Sequence, residues 1–74
     1  MKPRELAERH NLNTETVLRW CRRFRAYAKE RKDAKKPVIW SAKWDQGLRH
    51  RIVNGRFVDI DEKDAAKFVK EWAA

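Results

Sequence analysis

The sequence lacks the features that form intramolecular disulfide bonds or membrane spans. Cys21 is the single cysteine among 74 residues, so no intramolecular disulfide can form. Its place beside Trp20 and one turn before Phe24 indicates a small packed residue in a reducing compartment. No apolar run approaches the roughly 20 residues that a membrane span needs, and the charged start MKPRELAERH is unlike a signal peptide. We therefore expect a cytoplasmic protein that does not enter a membrane.

Internal repeats, low-complexity stretches and a second domain are also missing. Residues 1–74 are therefore predicted to form one small domain, and a chain this short buries only about 60% of its unfolded surface. We expect no deep catalytic cleft and predict that the protein is not an enzyme. His10, Cys21 and His50 lack the spacing of a metal-ligand set, so neither a metal nor a cofactor is expected.

Acidic residues are in the minority. The chain has 11 Asp and Glu against 19 Lys and Arg, which gives a formal net charge of +8. Residues 1–58 hold 16 basic and 6 acidic side chains, whereas residues 59–74 hold 3 and 5. Charge that served solubility alone would be spread more evenly, so the distribution favours an anionic partner.

The stretch Leu6–Trp20 has the pattern of a helix-turn-helix. Ala7 lies where two helices would cross too closely for a larger side chain. Asn11 occupies a turn position that usually needs a left-handed backbone, which Asn tolerates better than most residues. Leu12 then enters the core, and Asn13 can cap a second helix by accepting a backbone N–H. This spacing is what a helix-turn-helix DNA reader needs.

The two helices have different predicted lengths. The first is expected from about Pro3, which suits a first helical turn, to His10. The second is expected from about Thr14 to at least Tyr27, and KERKDAKK after it is either a solvated helix end or a mobile connection that Pro37 stops. The buried positions of the second helix are predicted to be Val17, Trp20, Cys21, Phe24 and Ala28.

The opposite face of the second helix carries the residues that could read DNA. Short polar groups near its start would face base edges, and arginines further along would contact phosphate. The candidate DNA-binding residues on this helix are Thr14, Glu15, Thr16, Arg19, Arg22 and Arg23. A solvated helix face is the alternative interpretation of the arginines.

The second half of the chain predicts a short strand, a hairpin and a last helix. Val38-Ile39-Trp40 is a strand-like apolar run. Trp44 follows in an irregular segment, and packing is favoured over base stacking for Trp40 and Trp44. Asn54-Gly55 predicts a tight hairpin with a type I′ turn. Asp61 can cap a helix that continues to about Trp72. The packing positions of this helix are predicted to be Ala65, Phe68, Val69 and Trp72.

A two-residue hairpin loop sets the expected strand register. In that register Val53 opposes Arg56 and Ile52 opposes Phe57, so Ile52 and Phe57 share a face. His50 opposes Asp59, and a cross-strand hydrogen bond between them is expected. Arg51 and Arg56 lie near the hairpin tip and complete the set of candidate DNA-binding residues. Edge-strand charges that prevent aggregation are the alternative role for these two arginines.

The order helix, turn, helix, hairpin, helix predicts an α+β fold, a small winged helix-turn-helix domain with a basic hairpin. The run Glu15-Thr16-Val17 with Arg19-Trp20, and the run Gly55-Arg56-Phe57-Val58-Asp59-Ile60 before a helix from Glu62, resemble the small phage and transposon excisionases within the MerR-like winged-helix group. The resemblance covers roughly residues 4–72 in element order. It implies an architectural protein that binds double-stranded DNA cooperatively with further copies of itself, bends it, and with integrase directs recombination toward excision.

The same resemblance implies individual roles. Glu15 and Arg19 would read bases in the major groove, Arg22 would contact phosphate, and Arg56 would reach the minor groove. Leu18 stands where the family pattern has a polar or basic residue, and the connection before the hairpin is longer than in a minimal excisionase. Two other functions stay open: a phage or bacterial transcription regulator with the same domain, and a basic module that binds RNA or a protein partner.

Overall fold

Two helices meet at a tight turn in the first part of the chain. The computed structural model describes residues 1–73, in which helix α1 spans Pro3–Arg9 and helix α2 spans Thr14–Asp33. Asn11 between them has a φ of 53°. The side chain of Asn13 accepts a hydrogen bond from the backbone N–H of Glu15 at 2.9 Å. The left-handed turn and the helix cap predicted from these two asparagines are confirmed.

Helix α2 ends before the proline that was expected to stop it. It ends at Asp33, so most of the charged stretch after Tyr27 is a solvated helix end. The chain then folds back along α2. The Tyr27 hydroxyl donates to the carbonyl of Ile39 at 2.7 Å, and the Arg31 side chain donates to the carbonyl of Pro37 at 2.9 Å. Side-chain donors on α2 therefore hold the connection against the helix.

The segment Val38–Trp40 is not a strand, and that prediction is wrong. It joins no β-ladder, and Val38 and Ile39 are exposed. The Ile39 carbonyl, which a ladder would have satisfied, instead accepts from Tyr27 and from the Gln46 amide at 3.2 Å. Side-chain hydrogen bonds thus replace strand pairing.

A one-turn 3₁₀ helix, Trp44–Gln46, follows, and the chain after it is anchored on α2. Gly47 has a φ of 74°, and a Cβ built there would lie 2.3 Å from the backbone nitrogen of Phe24. The backbone N–H of Leu48 donates to the carbonyl of Trp20 at 3.1 Å. Only a glycine allows two backbones to approach this closely, so the 3₁₀ turn is held at a fixed place beside α2.

A second anchor links this region to the last helix. Arg49 forms two hydrogen bonds with the carboxylate of Asp64, at 2.8 and 2.9 Å, and its guanidinium lies 4.7 Å from the ring centroid of Trp40. Trp40 is half-buried, and its indole N–H donates to the carbonyl of Gly47 at 2.9 Å. The predicted packing of Trp40 is therefore correct.

Strands β1, Arg51–Val53, and β2, Phe57–Asp59, form an antiparallel hairpin. Asn54 and Gly55 have φ values of 54° and 72°, the left-handed pair that a type I′ turn requires. The Arg56 N–H closes the turn on the carbonyl of Val53 at 3.2 Å. The left-handed backbone predicted at Asn54 and Gly55 is confirmed, but the predicted two-residue loop is wrong.

The strand register differs by one residue from the expected one, because the loop contains three residues rather than two. Val53 pairs with Phe57, and Ile52 pairs with Val58. Since side chains alternate across a strand, the shift moves Phe57 to the face of Val53 and away from Ile52. Ile60 is fully buried and Val58 packs against the core, whereas Phe57 is 57% exposed. In the observed register Val58 therefore shares the inward face with Ile52, and Phe57 lies on the exposed face with Val53.

Helix α3, Glu62–Ala73, completes the core. The Asp61 side chain accepts from the backbone N–H groups of Lys63 and Asp64, which confirms the predicted cap. The Trp20 ring lies 4.9 Å from Phe68 between centroids. The core consists of Leu6, Ala7, Val17, Trp20, Cys21, Leu48, Ile60, Ala65 and Phe68.

Residues 1–73 thus have an α+β arrangement of three α-helices and one two-stranded antiparallel hairpin. This confirms the predicted order of the main elements. Over the same residues, no helix combines the length and the apolar character needed to cross a membrane.

Candidate nucleic-acid interface

The exposed side of α2 carries three charged residues in line, which we call the ridge: Glu15, Arg19 and Arg22. Their spacing of four and then three residues places them on one side of the helix, opposite the buried Val17 and Trp20. All three are exposed.

The two ends of the ridge are joined by an ion pair. Arg22 donates to the Glu15 carboxylate at 2.5 Å. The hydrogen bond and the charge of Arg22 lower the pKa of Glu15, and the charge of Arg19 adds to this. Glu15 is therefore an ionised hydrogen-bond acceptor at neutral pH. Within residues 1–73, no carboxylate oxygen lies within 4.0 Å of the Arg19 guanidinium, so Arg19 is the ridge cation that is not neutralised.

On one side of the ridge a groove separates α2 from the hairpin. Its apolar residues include Leu18 on α2 and Val53 and Phe57 on the hairpin. The cations that line it are Lys2, Arg4 and Arg56. Thr14 also lines this groove, so the start of α2 and the hairpin tip border one continuous surface. We call this surface the hairpin flank.

The two candidate arginines of the hairpin have different surroundings. Arg51 pairs with Asp59 across the strands at 2.9 Å. The Met1 amino group and then Arg51 hold the pKa of Asp59 below its usual range. The Arg56 guanidinium lies 5.8 Å from the ring centroid of Phe57, and no carboxylate in the described part of the chain is paired with it. Arg56 is therefore the hairpin cation that is available to an anion.

The predicted hydrogen bond between His50 and Asp59 is wrong, because the shifted register places Asp59 opposite Arg51. His50 instead contacts the carbonyl of Leu48 through Nδ1 at 2.8 Å and the Arg25 side chain through Nε2 at 3.0 Å. A carbonyl only accepts, so Nδ1 donates and Nε2 accepts from Arg25. Burial lowers the pKa of His50, which fits this neutral form.

On the other side of the ridge a crevice separates α2 from the 3₁₀ turn and the end of α3. The Arg23 guanidinium lies 4.9 Å from the ring centroid of Trp44. Trp44 is 60% exposed, so the predicted packing of this side chain is wrong. The crevice is lined by Thr16, Arg19, Trp20, Arg23, Trp44, Phe68 and Trp72. We call this surface the tryptophan flank.

The candidate DNA-binding residues thus occupy three adjoining strips. The ridge holds three of them, Thr14 and Arg56 border the hairpin flank, and Thr16 and Arg23 border the tryptophan flank. Arg51 lies apart, beside Asp59. Sequence reasoning missed Lys2, Arg4 and Trp44, whose positions depend on contacts between distant parts of the chain.

Comparison of the chain with protein-family models, with curated proteins and with solved structures found no match in any of the three. The function must therefore be inferred from the side chains themselves. Their arrangement offers a ridge in which Arg19 has no carboxylate partner among residues 1–73 and Glu15 is an ionised acceptor. Cations and exposed apolar groups lie on each side of this ridge. Such a surface can bind an anionic polymer and also present directional hydrogen bonds to it.

Proposed function

We propose that the protein is a winged helix-turn-helix that binds double-stranded DNA with a sequence preference. Helix α2 enters the major groove, and the hairpin reaches the adjacent minor groove. The observation that carries this proposal is that one groove joins Thr14 and Leu18 of α2 to Arg56 of the hairpin. Arg19 on the ridge and Arg56 on the hairpin have no acidic partner among residues 1–73. The major groove of B-DNA is about 12 Å wide and admits one α-helix.

In this complex the ridge recognises bases. Arg19 can donate two hydrogen bonds to a guanine, and Glu15 can accept from the amino group of a cytosine. The Glu15–Arg22 pair fixes the acceptor and leaves further N–H donors of Arg22 for a phosphate. Base contacts of this kind provide specificity, while phosphate contacts set the position of the helix.

The hairpin flank contacts the neighbouring backbone and minor groove. Arg56 is placed to enter a narrow minor groove, whose negative potential attracts arginine. Leu18 lies on the side of α2 that faces the hairpin, where it can contact a thymine methyl. This accounts for an apolar side chain at a position where a polar one was expected.

We also propose that the protein is an excisionase-like architectural factor that bends DNA and acts with integrase and further copies of itself. The resemblance of its second helix and hairpin junction to excisionases supports this function. A transcription regulator with the same domain would use the same surface on a promoter. An RNA-binding module is less well supported, because the major groove of A-form RNA is too narrow and deep to admit the ridge.

Footprinting on the DNA that flanks the gene tests the proposal, together with a circular-permutation assay for bending. Several adjacent protected sites at a recombination site, with bending, support the excisionase function. One protected site over a promoter, without repeated sites, supports the regulator. Equal affinity for structured RNA and for the same-length duplex contradicts the proposal of a duplex DNA-binding protein.

A further inference from the structure

Trp44 is a large aromatic side chain held out in solvent by a fixed backbone. It is 60% exposed. The turn that carries it is positioned by the close approach of Gly47 to α2 and by the hydrogen bond from Leu48 to Trp20. The backbone that carries Trp44 is therefore anchored on α2, and its ring lies 4.9 Å from the Arg23 guanidinium on that helix.

In the proposed complex, the ridge and the hairpin leave one of the two sugar-phosphate backbones that border the major groove without a contact. Trp44 lies on the side of α2 that faces this backbone. A helix in the major groove is bordered by a sugar-phosphate backbone on each side. The hairpin flank faces one backbone. The opposite side of α2 presents Thr16 and Arg23 with Trp44 behind them, so this side faces the second backbone.

We propose that Arg23 and Trp44 form a second backbone-binding surface, on the side of α2 opposite the hairpin. This inference rests on the duplex binding proposed above. The Trp44 ring contacts a deoxyribose, and Arg23 donates to the adjoining phosphate. The Arg23 guanidinium lies 4.9 Å from the centroid of the indole, a cation–π distance that restrains it beside the ring. A cation–π contact uses the charge of the guanidinium, so its N–H groups can still donate to a phosphate.

The charge of the tryptophan flank matches a phosphodiester. Its lining contains Arg19 and Arg23 and no carboxylate. An indole gives apolar area to a sugar and keeps one N–H for a phosphate oxygen, whereas an apolar partner protein would gain nothing from the two arginines. We therefore assign this surface to the DNA backbone.

Affinity measurements and hydroxyl-radical footprints of four variants test this inference: Trp44→Ala, Trp44→Phe, Arg23→Ala and Lys63→Ala. We expect Trp44→Ala and Arg23→Ala each to reduce affinity about tenfold. Each should also lose protection of the backbone on the side away from the hairpin while keeping protection on the hairpin side. Trp44→Phe keeps a ring and should retain most of the affinity. Lys63→Ala, on the exposed start of α3, is the control for loss of one positive charge and should leave the footprint unchanged.

The outcomes separate this inference from the proposed function. If the wild-type protein binds duplex DNA while Trp44→Ala and Arg23→Ala keep the full footprint and affinity, the second surface is wrong and duplex binding stands. If the wild-type protein does not bind duplex DNA, both proposals fail. Thermal unfolding of each variant checks that the fold is intact, which the exposure of Trp44 leads us to expect.

Discussion

Arg19 is the side chain on which base recognition depends most in the proposed complex. It lies at the middle of the ridge and has no carboxylate partner within residues 1–73. We expect Arg19→Ala to lose about 1–3 kcal/mol of binding free energy and to relax the preference at one or two base pairs. Arg23→Ala should weaken binding to all sequences alike, because its expected contact is a phosphate.

Titration of both variants against a set of sites with single base-pair changes measures this difference. The opposite result, altered preference for Arg23→Ala and a uniform loss for Arg19→Ala, would show that α2 is rotated about its axis relative to the orientation proposed here.

Cys21 offers a direct measure of how tightly the core is closed. The side chain is fully buried, and burial raises the pKa of its thiol to about 11. The thiolate is the reactive form, so the native thiol has neither access nor charge for reaction. A single core in a domain of this size rarely supplies more than about 3–5 kcal/mol of stability, so a thiol reagent should label the native protein up to about 10²–10⁴ times more slowly than the urea-unfolded protein. Labelling at equal rates would contradict the burial of Cys21.

At the scale of elements, two glycines with the same backbone conformation should respond differently to a methyl group. Gly47 and Gly55 have φ values of 74° and 72°. A Cβ at Gly47 meets the backbone of α2, whereas a Cβ at Gly55 has no heavy atom within 4 Å. Gly47→Ala should therefore lower the free energy of unfolding by about 2 kcal/mol or more beyond the loss from Gly55→Ala, because the backbone atoms of α2 cannot easily move aside.

Urea unfolding of the two variants measures the difference in unfolding free energy, and Gly55→Ala is the matched control. Equal destabilisation would show that the segment before the hairpin is not anchored on α2 as described.

The hairpin should contribute to binding through Arg56 rather than through Arg51. Arg56→Ala should leave stability nearly unchanged, because an exposed tip residue packs on little. It should reduce affinity and bend angle, most strongly on sites with a narrow A·T-rich minor groove. Arg51→Ala is the control, because Arg51 does not line the groove between the hairpin and α2, whereas Arg56 does. Circular-permutation assays that give equal affinity and equal bending for wild type and Arg56→Ala would assign the hairpin a structural role alone.

The elements that could be predicted from the sequence are those with a local signal. Asn11 and the Asn54-Gly55 pair adopt left-handed backbone conformations. Asn13 and Asp61 accept hydrogen bonds from backbone N–H groups two residues further along the chain. The spacing of Val17, Trp20 and Cys21 likewise identifies the buried face of α2 from positions within that helix. These features need no knowledge of the rest of the chain, which is why the helices and the turn were found.

The features that could not be predicted depend on contacts between distant residues. The Arg49–Asp64 pair joins two residues that are not related by helix or strand spacing. The Ile39 carbonyl accepts side-chain hydrogen bonds from two different elements, α2 and the 3₁₀ turn. The strand register was missed because a third loop residue changes the face of every residue beyond it. The candidate ridge followed from the helix alone, whereas the two flanks required the positions of the hairpin and of Trp44.

Across the whole molecule, most of the acidic residues that follow residue 58 form ion pairs or cap a helix within the fold. Asp59 pairs with Arg51, Asp61 caps α3, and Asp64 pairs with Arg49. Asp59 also lines the hairpin flank, whereas Asp61 and Asp64 line neither flank. Arg49 and Arg51 are themselves two of the basic residues of 1–58, so these pairs use part of the excess. The cations that remain without a carboxylate partner among residues 1–73 include Arg19, Arg23 and Arg56, which adjoin the proposed DNA surface.

Duplex binding should accordingly depend steeply on salt. The cations that adjoin the proposed DNA surface and are assigned to phosphates are Lys2, Arg4, Arg22, Arg23 and Arg56. Arg4 and Arg22 have exposed carboxylate partners, but exposed ion pairs contribute little and phosphates can compete for these guanidinium groups. If about five phosphates are neutralised, log K should fall against log salt concentration with a slope on the order of −4 to −5. Titrations between about 50 and 200 mM salt should then lose affinity on the order of 10²–10³-fold. Arg23→Ala should make the slope shallower by about 1, because one phosphate contact is lost. A slope near zero would mean that few counterions are released, which would exclude a nucleic-acid backbone as the partner of this surface.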